Sequence, residues 1–140
     1  MLFNASRAQL VAEVIQPGLE NGKVVISDRY ADSTTAYQGY GRGLDLDMVK
    51  ATNSAATQGL KPDLTILLDI PAEEGLDRKK AKSRDRFERE ALAFHQRVRE
   101  GYLRLAADDP KRWLVIDASQ SKQEIAQIIW QRVSQLLSRG

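Results

Sequence analysis

Apolar residues recur along the chain at two different spacings, and each spacing predicts a different kind of element. Apolar side chains that return every three or four residues are typical of amphipathic helices. They predict helices over residues 6–20, 45–59, 72–81, 88–107 and 125–137. Continuous apolar runs are typical of parallel strands covered on both faces. They predict strands at residues 23–28, 64–70 and 113–117.

Helix-ending and helix-starting residues separate several of these elements. Pro17 and Gly18 are expected to bend or end the first helix, because proline lacks a backbone donor. Asp45 or Asp47 is expected to cap the second helix, and Gly59 is expected to close it.

Strands that alternate with helices predict an α/β fold built from parallel β–α–β units. The length of 140 residues fits a single domain. However, three predicted strands are few for such a sheet, which has about 5–6 on average. We therefore interpret residues 1–140 as one partial domain whose sheet lacks strands at its front end.

Composition and charge exclude several classes of protein. The chain has no cysteine and a single histidine, which excludes disulfides, thiol nucleophiles and histidine-rich metal sites. Its net charge of +2 is too small to argue for nucleic-acid binding. No apolar run is long enough to span a membrane, and the N-terminus does not resemble a signal peptide. We expect a cytoplasmic protein that binds neither nucleic acid nor membrane.

The segment 28–43 carries the densest candidate chemistry in the chain. It reads DRYADSTTAYQGYGRG and directly follows the predicted strand 23–28. In open α/β folds, ligands bind at the carboxyl ends of strands. Arg29 is suited to bidentate binding of a phosphate, and Asp28 is placed either to orient Arg29 or to lie near a metal ion. The alternative is a structural ion pair at the end of the strand.

This segment resembles the monophosphate-binding signature of thymidylate kinases, Asp-Arg-Tyr…Ser…Ala-Tyr-Gln-Gly. The resemblance covers almost the whole chain and the last two thirds of the family. It implies a parallel sheet with flanking helices, as in the P-loop nucleoside monophosphate kinases. A P-loop itself has the pattern G-x-x-x-x-G-K-[ST]. The 140 residues do not contain it, since Gly22-Lys23 is followed by Val24.

Two residues near the N-terminus have the spacing of one helical turn. Phe3 and Arg7 lie four apart, so they share a face of a helix. The family resemblance implies that the Phe3 ring stacks on thymine and that the Arg7 guanidinium donates to a base carbonyl. The alternative is a core phenylalanine beside a surface arginine.

The resemblance also implies roles for residues that follow Arg29. Ser33 and Thr34 lie near the base edge, with Gln38 in the same substrate-binding set. Tyr37 packs where a ribose 2′-hydroxyl would lie, which favours deoxynucleotides because a buried unpaired hydroxyl is costly. The alternative is a helix cap by Ser33 and a core tyrosine. The glycines after Tyr37 predict a flexible loop with Arg42.

Basic residues cluster between residues 78 and 89, around a stretch, 82–87, that is predicted to be a loop. A solvated helix face is the usual interpretation of such a run. The family resemblance instead implies a lid of about 78–89 that closes over the phosphates of ATP. The residues it assigns are the catalytic cations Arg78 and Arg84, the lid residues Lys82, Asp85 and Arg86, and Phe87 and Glu88 near the monophosphate.

Taken together, the resemblance implies transfer of a phosphoryl group from ATP to dTMP, giving dTDP and ADP, with Mg²⁺ held near Asp28. Arg29, Arg78 and Arg84 are the expected catalytic residues. It also implies a homodimer formed through helices that include residues 6–20. Because the motif that binds the β-phosphate is absent from these 140 residues, we expect the isolated chain to be inactive. The alternative is a non-catalytic deoxynucleotide-binding or dimerisation module.

Overall fold

The computed structural model describes residues 2–77 and 86–139. Within that range it does not describe the side chains of residues 2, 3, 75–77 and 86–88. The chain divides into two compact units, Met1–Lys61 and Pro62–Gly140, and each is described by itself.

The first unit is helical. Its elements are α1 (Leu2–Leu10), α2 (Gln16–Glu20), α3 (Ala31–Thr34) and α4 (Leu46–Thr57), with π-helical turns at Val11–Ile15 and Thr35–Gly41. Its buried apolar side chains come from the two π-helical turns and from α4, and they are Val11, Ile15, Ala36 and Val49. Helix α1 packs on α4, so the unit is organised around this helix pair.

The first predicted helix is confirmed, but it begins earlier and passes through Pro17. Helical backbone runs from Leu2 to Glu20, through the π-helical turn Val11–Ile15. Pro17 cannot donate a backbone hydrogen bond, and the wider π-helical turn lies immediately before it. An end at Pro17-Gly18 is therefore wrong, since the helix continues to Glu20, and a bend there stays a prediction.

The strand predicted at residues 23–28 is wrong. The structure has no regular element there, and Val24 and Ile26 are 64% and 91% exposed. An extended apolar segment becomes a strand only when a neighbouring strand completes its hydrogen-bond ladder. The described residues of the first unit contain no strand that pairs with it.

The predicted flexible glycine loop is wrong for residues 39–41, which belong to the second π-helical turn. Gly39 is buried, and a Cβ atom at this position would lie 2.5 Å from Cδ2 of Leu46. The glycine is therefore required by the close approach of the chain to Leu46. Gly43, with φ of +75°, ends the helical segment in a conformation that favours glycine.

The helix predicted over 45–59 is confirmed as α4, and so is its capping by Asp45. The Asp45 carboxylate accepts a hydrogen bond from the Asp47 backbone N–H at 2.9 Å. At the other end, Gln58 and Gly59 have left-handed backbone conformations, with φ of 55° and 73°. Such residues terminate helices because their conformation cannot continue the helical hydrogen bonding.

The second unit contains a parallel β–α–β arrangement, as predicted. Its elements are β1 (Thr65–Asp69), α5 (Ala72–Asp77), α6 (Arg86–Asp108), β2 (Trp113–Asp117) and α7 (Lys122–Ser138). Strands β1 and β2 pair in parallel, with Thr65 opposite Trp113 and Asp69 opposite Asp117. Helix α6 starts before residue 88 because Arg86 and Phe87 already belong to it. The loop predicted over 82–87 is therefore wrong at residues 86 and 87, and residues 78–85 lie outside the described residues.

The buried side chains of the second unit come from α6 and β2, and they are Val98, Ala106, Trp113 and Ile116. The prediction that β1 is covered on both faces is wrong in this structure, because Leu68 is 51% exposed. Helix α7 begins with a capping box, in which Ser121 and Glu124 exchange side-chain and backbone hydrogen bonds. No helix in the described part of the chain is long and apolar enough to cross a membrane.

Candidate functional site

The candidate site lies in the first unit, where three chain segments meet. Helix α1 carries Arg7, the bend before α3 carries Arg29, and α3 with the following π-helical turn carries Thr34 and Tyr37. These four residues were predicted from the sequence. The structure brings them together as two pairs, Arg7 with Thr34 and Arg29 with Tyr37.

Arg7 is fixed by two hydrogen bonds that leave the same nitrogen. Its Nη1 donates to the Asn4 Oδ1 at 2.6 Å and to the Thr34 Oγ1 at 2.9 Å. The guanidinium carbon lies 5.9 Å from the centre of the Tyr30 ring, within the range of a cation–π contact. Arg7 is therefore held between α1 and α3 by neutral oxygens and an aromatic face.

Partial burial changes the electrostatics of Arg7. Desolvation lowers the pKa of the guanidinium, and electrostatic interactions with Tyr30 and the Asp32 carboxylate oppose this effect. The same burial raises the pKa of the Tyr30 phenol. An arginine remains protonated even with a lowered pKa, so this site presents a permanent and partly desolvated cation. Such a cation binds a carbonyl or anionic oxygen more strongly than a fully hydrated one does.

Arg29 is held in an uncommon backbone conformation at the start of the segment. Its φ is +62°, in the left-handed region that non-glycine residues seldom adopt. The Ser27 hydroxyl donates to the Arg29 carbonyl oxygen at 2.8 Å. The guanidinium carbon lies 5.3 Å from the centre of the Tyr37 ring, and the side chain is exposed. The conformation turns an exposed arginine towards the helix that follows it.

Thr34 and Tyr37 bring the two arginines to one helical turn. They lie three residues apart across the junction of α3 and the π-helical turn, so they share a face of the helix. Arg7 contacts the first and Arg29 contacts the second. One face of a helix therefore carries a hydroxyl and a phenol, with a cation beside each.

Ser33 and Gln38 lie in this helical segment, and both are half-buried. The alternative role of Ser33 as the helix cap is wrong, since Tyr30 occupies the capping position. The other part of that alternative is a core tyrosine, and Tyr37 is half-buried. Neither result tests the predicted contacts of Ser33, Tyr37 and Gln38 with a substrate.

Asp28 is exposed beside Arg29, which leaves its carboxylate accessible to a cation. Among the described residues, no group of three acidic or histidine side chains is close enough together to hold a metal ion. Mg²⁺ does not require such a group, because it is commonly bound by one or two carboxylates together with substrate phosphates and water. Asp28 therefore fits as one ligand of an ion held mainly by a nucleotide.

A second set of residues, not predicted from the sequence, supports the site from behind. Asn53 of α4 donates to the Ala31 carbonyl oxygen at 3.1 Å and to the Thr35 hydroxyl at 2.9 Å. The Tyr30 hydroxyl donates to the Leu60 carbonyl oxygen at 3.1 Å. The bonds of Asn53 tie the segment around α3 to α4, and the Tyr30 bond ties it to the chain after α4. The partners are 18 to 30 residues apart, so no local sequence pattern predicts these bonds.

Asn4 was also missed, although a sequence signal for it exists. It precedes Arg7 by three residues, a spacing at which two side chains meet on a helix. The prediction considered Phe3 as the partner of Arg7 on that helix and did not consider a neutral acceptor. The backbone of Phe3 is in α1, one turn before Arg7, as predicted.

The remaining predicted residues lie where the structure does not describe them. Four fall outside the described residues, namely Arg78, Lys82, Arg84 and Asp85. Another three, Arg86, Phe87 and Glu88, are placed in the first turn of α6 without a description of their side chains. The predicted lid therefore stays a prediction.

In the second unit, an acidic residue ends each strand. Asp69 and Asp117 are paired in register at the carboxyl ends of β1 and β2. Arg99 of α6 donates to both oxygens of Asp69, at 2.8 and 3.0 Å, which ties the crossover helix to the strand. Asp117 accepts from the Ser119 hydroxyl and backbone N–H, and these bonds lower its pKa. In open α/β folds, ligands bind at the carboxyl ends of strands, the edge at which these two residues lie.

Comparison with known proteins identifies the family. The sequence profile described as thymidylate kinase matches residues 1–129. The chain is 56% identical over 137 residues to a thymidylate kinase of Dehalococcoides mccartyi, an alignment that covers 98% of this chain and 66% of the relative. It is 52% identical to a thymidylate kinase of Desulfovibrio desulfuricans, covering 89% of this chain and 61% of that relative. A thymidylate kinase of Syntrophotalea carbinolica is 48% identical, covering 99% and 67%.

These matches extend over both units. The chain belongs to the thymidylate kinase family, which has the fold of the P-loop nucleoside monophosphate kinases. It spans about two thirds of the length of the relatives that it matches. The predicted family and fold class are thereby confirmed.

Proposed function

We propose that this protein transfers a phosphoryl group from ATP to dTMP, giving dTDP and ADP, and that these 140 residues supply the monophosphate side of the site. One observation carries the proposal, which is the placement of Arg7 and Arg29 beside Thr34 and Tyr37 on a single helical turn. A nucleoside monophosphate has a polar base at one end and a dianion at the other. Two cations, one beside Thr34 and the other beside Tyr37, offer a partner to each end of such a ligand.

Arg7 is the proposed contact of the base. Arginine carries donors only, so its guanidinium donates to a carbonyl oxygen and forms no such bond with an amine that is itself a donor. Phe3, four residues before Arg7 in α1, is the proposed stacking platform. Ser33, Thr34 and Gln38 are the proposed residues at the edge of the base.

Arg29 is the proposed contact of the phosphate. Its planar fork matches two phosphate oxygens, and its exposed position leaves the side chain accessible. Tyr37, beneath the Arg29 guanidinium, is the proposed neighbour of the sugar at the 2′ carbon. A ribose hydroxyl placed against the phenol ring would lose its hydrogen bonds to water, so deoxynucleotides are favoured.

The proposed lid of about residues 78–89 completes the site on the side of ATP. Its cations would neutralise charge that develops on the transferred group, with Arg78 and Arg84 as catalytic residues and Lys82 and Arg86 beside them. Asp85 is proposed to hold the lid, and Phe87 and Glu88 are proposed to approach the monophosphate. These roles rest on the family motif.

Asp28 is the proposed protein ligand of Mg²⁺. The ion, when bound, neutralises charge on the phosphates of ATP. The carboxylate of Asp28 would hold the ion near the phosphate bound by Arg29, its neighbour in sequence.

We also propose that two copies of the chain associate through α1 and the π-helical turn that follows it. Leu10 and Val14 lie four residues apart on this segment, and both are exposed. Two large apolar side chains on one face of a helix favour association with a matching surface. A Val14→Glu variant is expected to lower the mass measured by light scattering, whereas Glu13→Gln, beside it on the exposed surface, is expected to leave the mass unchanged.

The experiment that tests the function is a calorimetric titration of the purified chain with dTMP, with ribose TMP and dCMP as controls. Selective binding of dTMP supports the monophosphate site, and equal affinity for all three nucleotides contradicts it. ADP formation is then measured in the same sample with ATP and Mg²⁺. The 140 residues contain no P-loop motif, so we expect binding without turnover. Robust dTMP-dependent formation of ADP would contradict the proposed inactivity of the isolated chain.

A further inference from the structure

Asn4 is a buried amide on the helix that carries Arg7. It is 8% exposed, and its Oδ1 accepts from the Arg7 Nη1 at 2.6 Å. Arginine has no acceptor, so the amide must turn its oxygen, and not its nitrogen, towards the guanidinium. The contact is therefore directional, and burial shields it from competition by water.

The same nitrogen of Arg7 carries a second bond, and the two together fix the orientation of the side chain. Nη1 has two hydrogens, of which one points to Asn4 and the other to Thr34. Because the guanidinium is planar, fixing both hydrogens of one nitrogen fixes the plane of the whole group. With the Thr34 bond alone, the group could rotate about that contact.

In the part of the chain that the structure describes, both side-chain hydrogen bonds of the Arg7 guanidinium leave from Nη1. Nε and Nη2 carry three further hydrogens, and their direction is set by the plane that Asn4 and Thr34 impose. Asn4 is also neutral, so it orients the cation without cancelling its charge. A carboxylate would hold the same group but would weaken its attraction for a ligand oxygen.

We propose that Asn4 is a positioning residue that aims the donors of Arg7 and thereby sets the preference for a pyrimidine carbonyl over a pyrimidine amine. The inference rests on the proposed function, in which Arg7 contacts the base. An arginine in a fixed orientation donates to the 4-carbonyl of thymine but meets a second donor at the 4-amino group of cytosine. An arginine that rotates loses the bond to the carbonyl, and it can turn its donors away from the amine, so the two affinities become more alike.

The test compares the dissociation constants of dTMP and dCMP, measured by calorimetry on the full 140-residue chain. The main variant is Asn4→Ala, which keeps α1 because alanine favours helices. We expect about tenfold weaker binding of dTMP, the effect of one misdirected charged hydrogen bond, with little change for dCMP. The ratio of the two constants therefore falls towards one. Asn4→Asp keeps an acceptor at the same position. Its charge should weaken dTMP binding, but the fixed guanidinium should keep more of the ratio than Asn4→Ala does.

The matched control is Val49→Ala, which removes buried apolar volume from the same unit without removing a hydrogen bond of Arg7. It is expected to lower the melting temperature and to leave the ratio unchanged. An unchanged ratio in Asn4→Ala, beside a selective unmodified chain, would overturn the positioning role alone. An equal loss of the ratio in Val49→Ala would also overturn it, since general destabilisation would then explain the effect. An unselective unmodified chain would contradict the proposed function itself, and the inference with it.

Discussion

Arg99 in the second unit and Arg7 in the first each donate two side-chain hydrogen bonds, but to acceptors of different charge. Arg99 donates from two nitrogens to the two oxygens of Asp69, whereas Arg7 donates from one nitrogen to the neutral oxygens of Asn4 and Thr34. The first pairing neutralises the cation, and the second leaves its charge for another partner. The same residue type therefore joins elements of the scaffold in one unit and is the proposed contact of the base in the other.

The pKa values of the two arginines are shifted in opposite directions, in agreement with the different charges of their acceptors. The bonds and charge of Asp69 raise the pKa of the Arg99 guanidinium, while burial lowers the pKa of Arg7. A cation that is stabilised by its own protein has little to gain from a ligand. Arg7 is partly desolvated, and its interactions with Tyr30 and Asp32 do not outweigh that burial, so it gains more from an anionic or carbonyl oxygen.

The largest expected effect tests whether the second unit acts as a scaffold. Ile116, buried in β2, is 2% exposed, and Ile116→Ala should lower the free energy of unfolding by about 3 kcal/mol through lost burial and a residual cavity. Urea denaturation measures this change. Val115→Ala, on the exposed side of the same strand, is the matched control and should cost much less. A weaker affinity for dTMP in folded Ile116→Ala would contradict the separation of scaffold and binding roles.

The next effect concerns the phosphate. Arg29→Lys keeps the charge but loses the two-pronged geometry, so dTMP affinity should fall by about 2 kcal/mol, roughly 30-fold. The free energy of unfolding should change by less than about 0.5 kcal/mol, because the side chain is exposed. Calorimetry and denaturation measure the two quantities. The matched control is Arg104→Lys, at an exposed position of α6, which should change neither the dTMP affinity nor the free energy of unfolding. An unchanged dTMP affinity in Arg29→Lys would contradict the proposed contact of Arg29 with the phosphate.

A smaller effect is expected at the ion pair of the second unit. Asp69→Asn removes the charge that faces Arg99, and about 1 kcal/mol of stability should be lost after allowance for the partial exposure of the pair. Thermal melting measures the loss. Glu73→Gln, an exposed acid on α5, is the control and should be neutral. A loss of dTMP affinity in Asp69→Asn at unchanged stability would contradict a purely structural role for this pair.

The smallest expected effect is a change in the pKa of Asp117 at the end of β2. The Ser119 hydroxyl and backbone N–H lower the pKa of the Asp117 carboxyl. Ser119→Ala removes the hydroxyl bond alone, so the pKa should rise part of the way to its ordinary value, as measured by NMR.

The sign of the accompanying stability change follows from this lowered pKa. The contribution of Asp117 is present above the pKa of the unfolded chain and is lost as the pH falls through the folded pKa. That loss on acidification should be smaller in Ser119→Ala. An unchanged carboxyl pKa would show that the backbone bond alone is responsible.

The sequence predicted those elements whose bonding partners lie within the same unit. Strands β1 and β2 pair with each other, so their apolar runs correspond to real strands. The run at residues 23–28 has an equally apolar pattern, but among the residues described for its unit no strand pairs with it, and it is irregular. Apolar pattern therefore predicts which residues favour an extended strand, while the presence of a neighbour decides whether they form one.

The residues of the candidate site were predictable from the sequence where they belong to a local motif. Arg7, Arg29, Thr34 and Tyr37 were all predicted, and the structure brings them together in two pairs. Asn53 was not predicted, because its bonds to Ala31 and Thr35 join residues that are distant in sequence. The π-helical turns were not predicted either. For Thr35–Gly41, glycine-rich sequence is typical of a loop, and the close packing of Gly39 against Leu46 is not visible in the sequence.

The most direct test of the central claim is a titration of the isotopically labelled chain with dTMP, followed by amide chemical shifts in NMR spectra. The claim is that the first unit holds the monophosphate. We predict that the largest shift changes fall on residues 29–38 and on the turn of α1 around Arg7, while β2 changes little. Changes concentrated in the second unit, or none at saturating dTMP, would contradict the account.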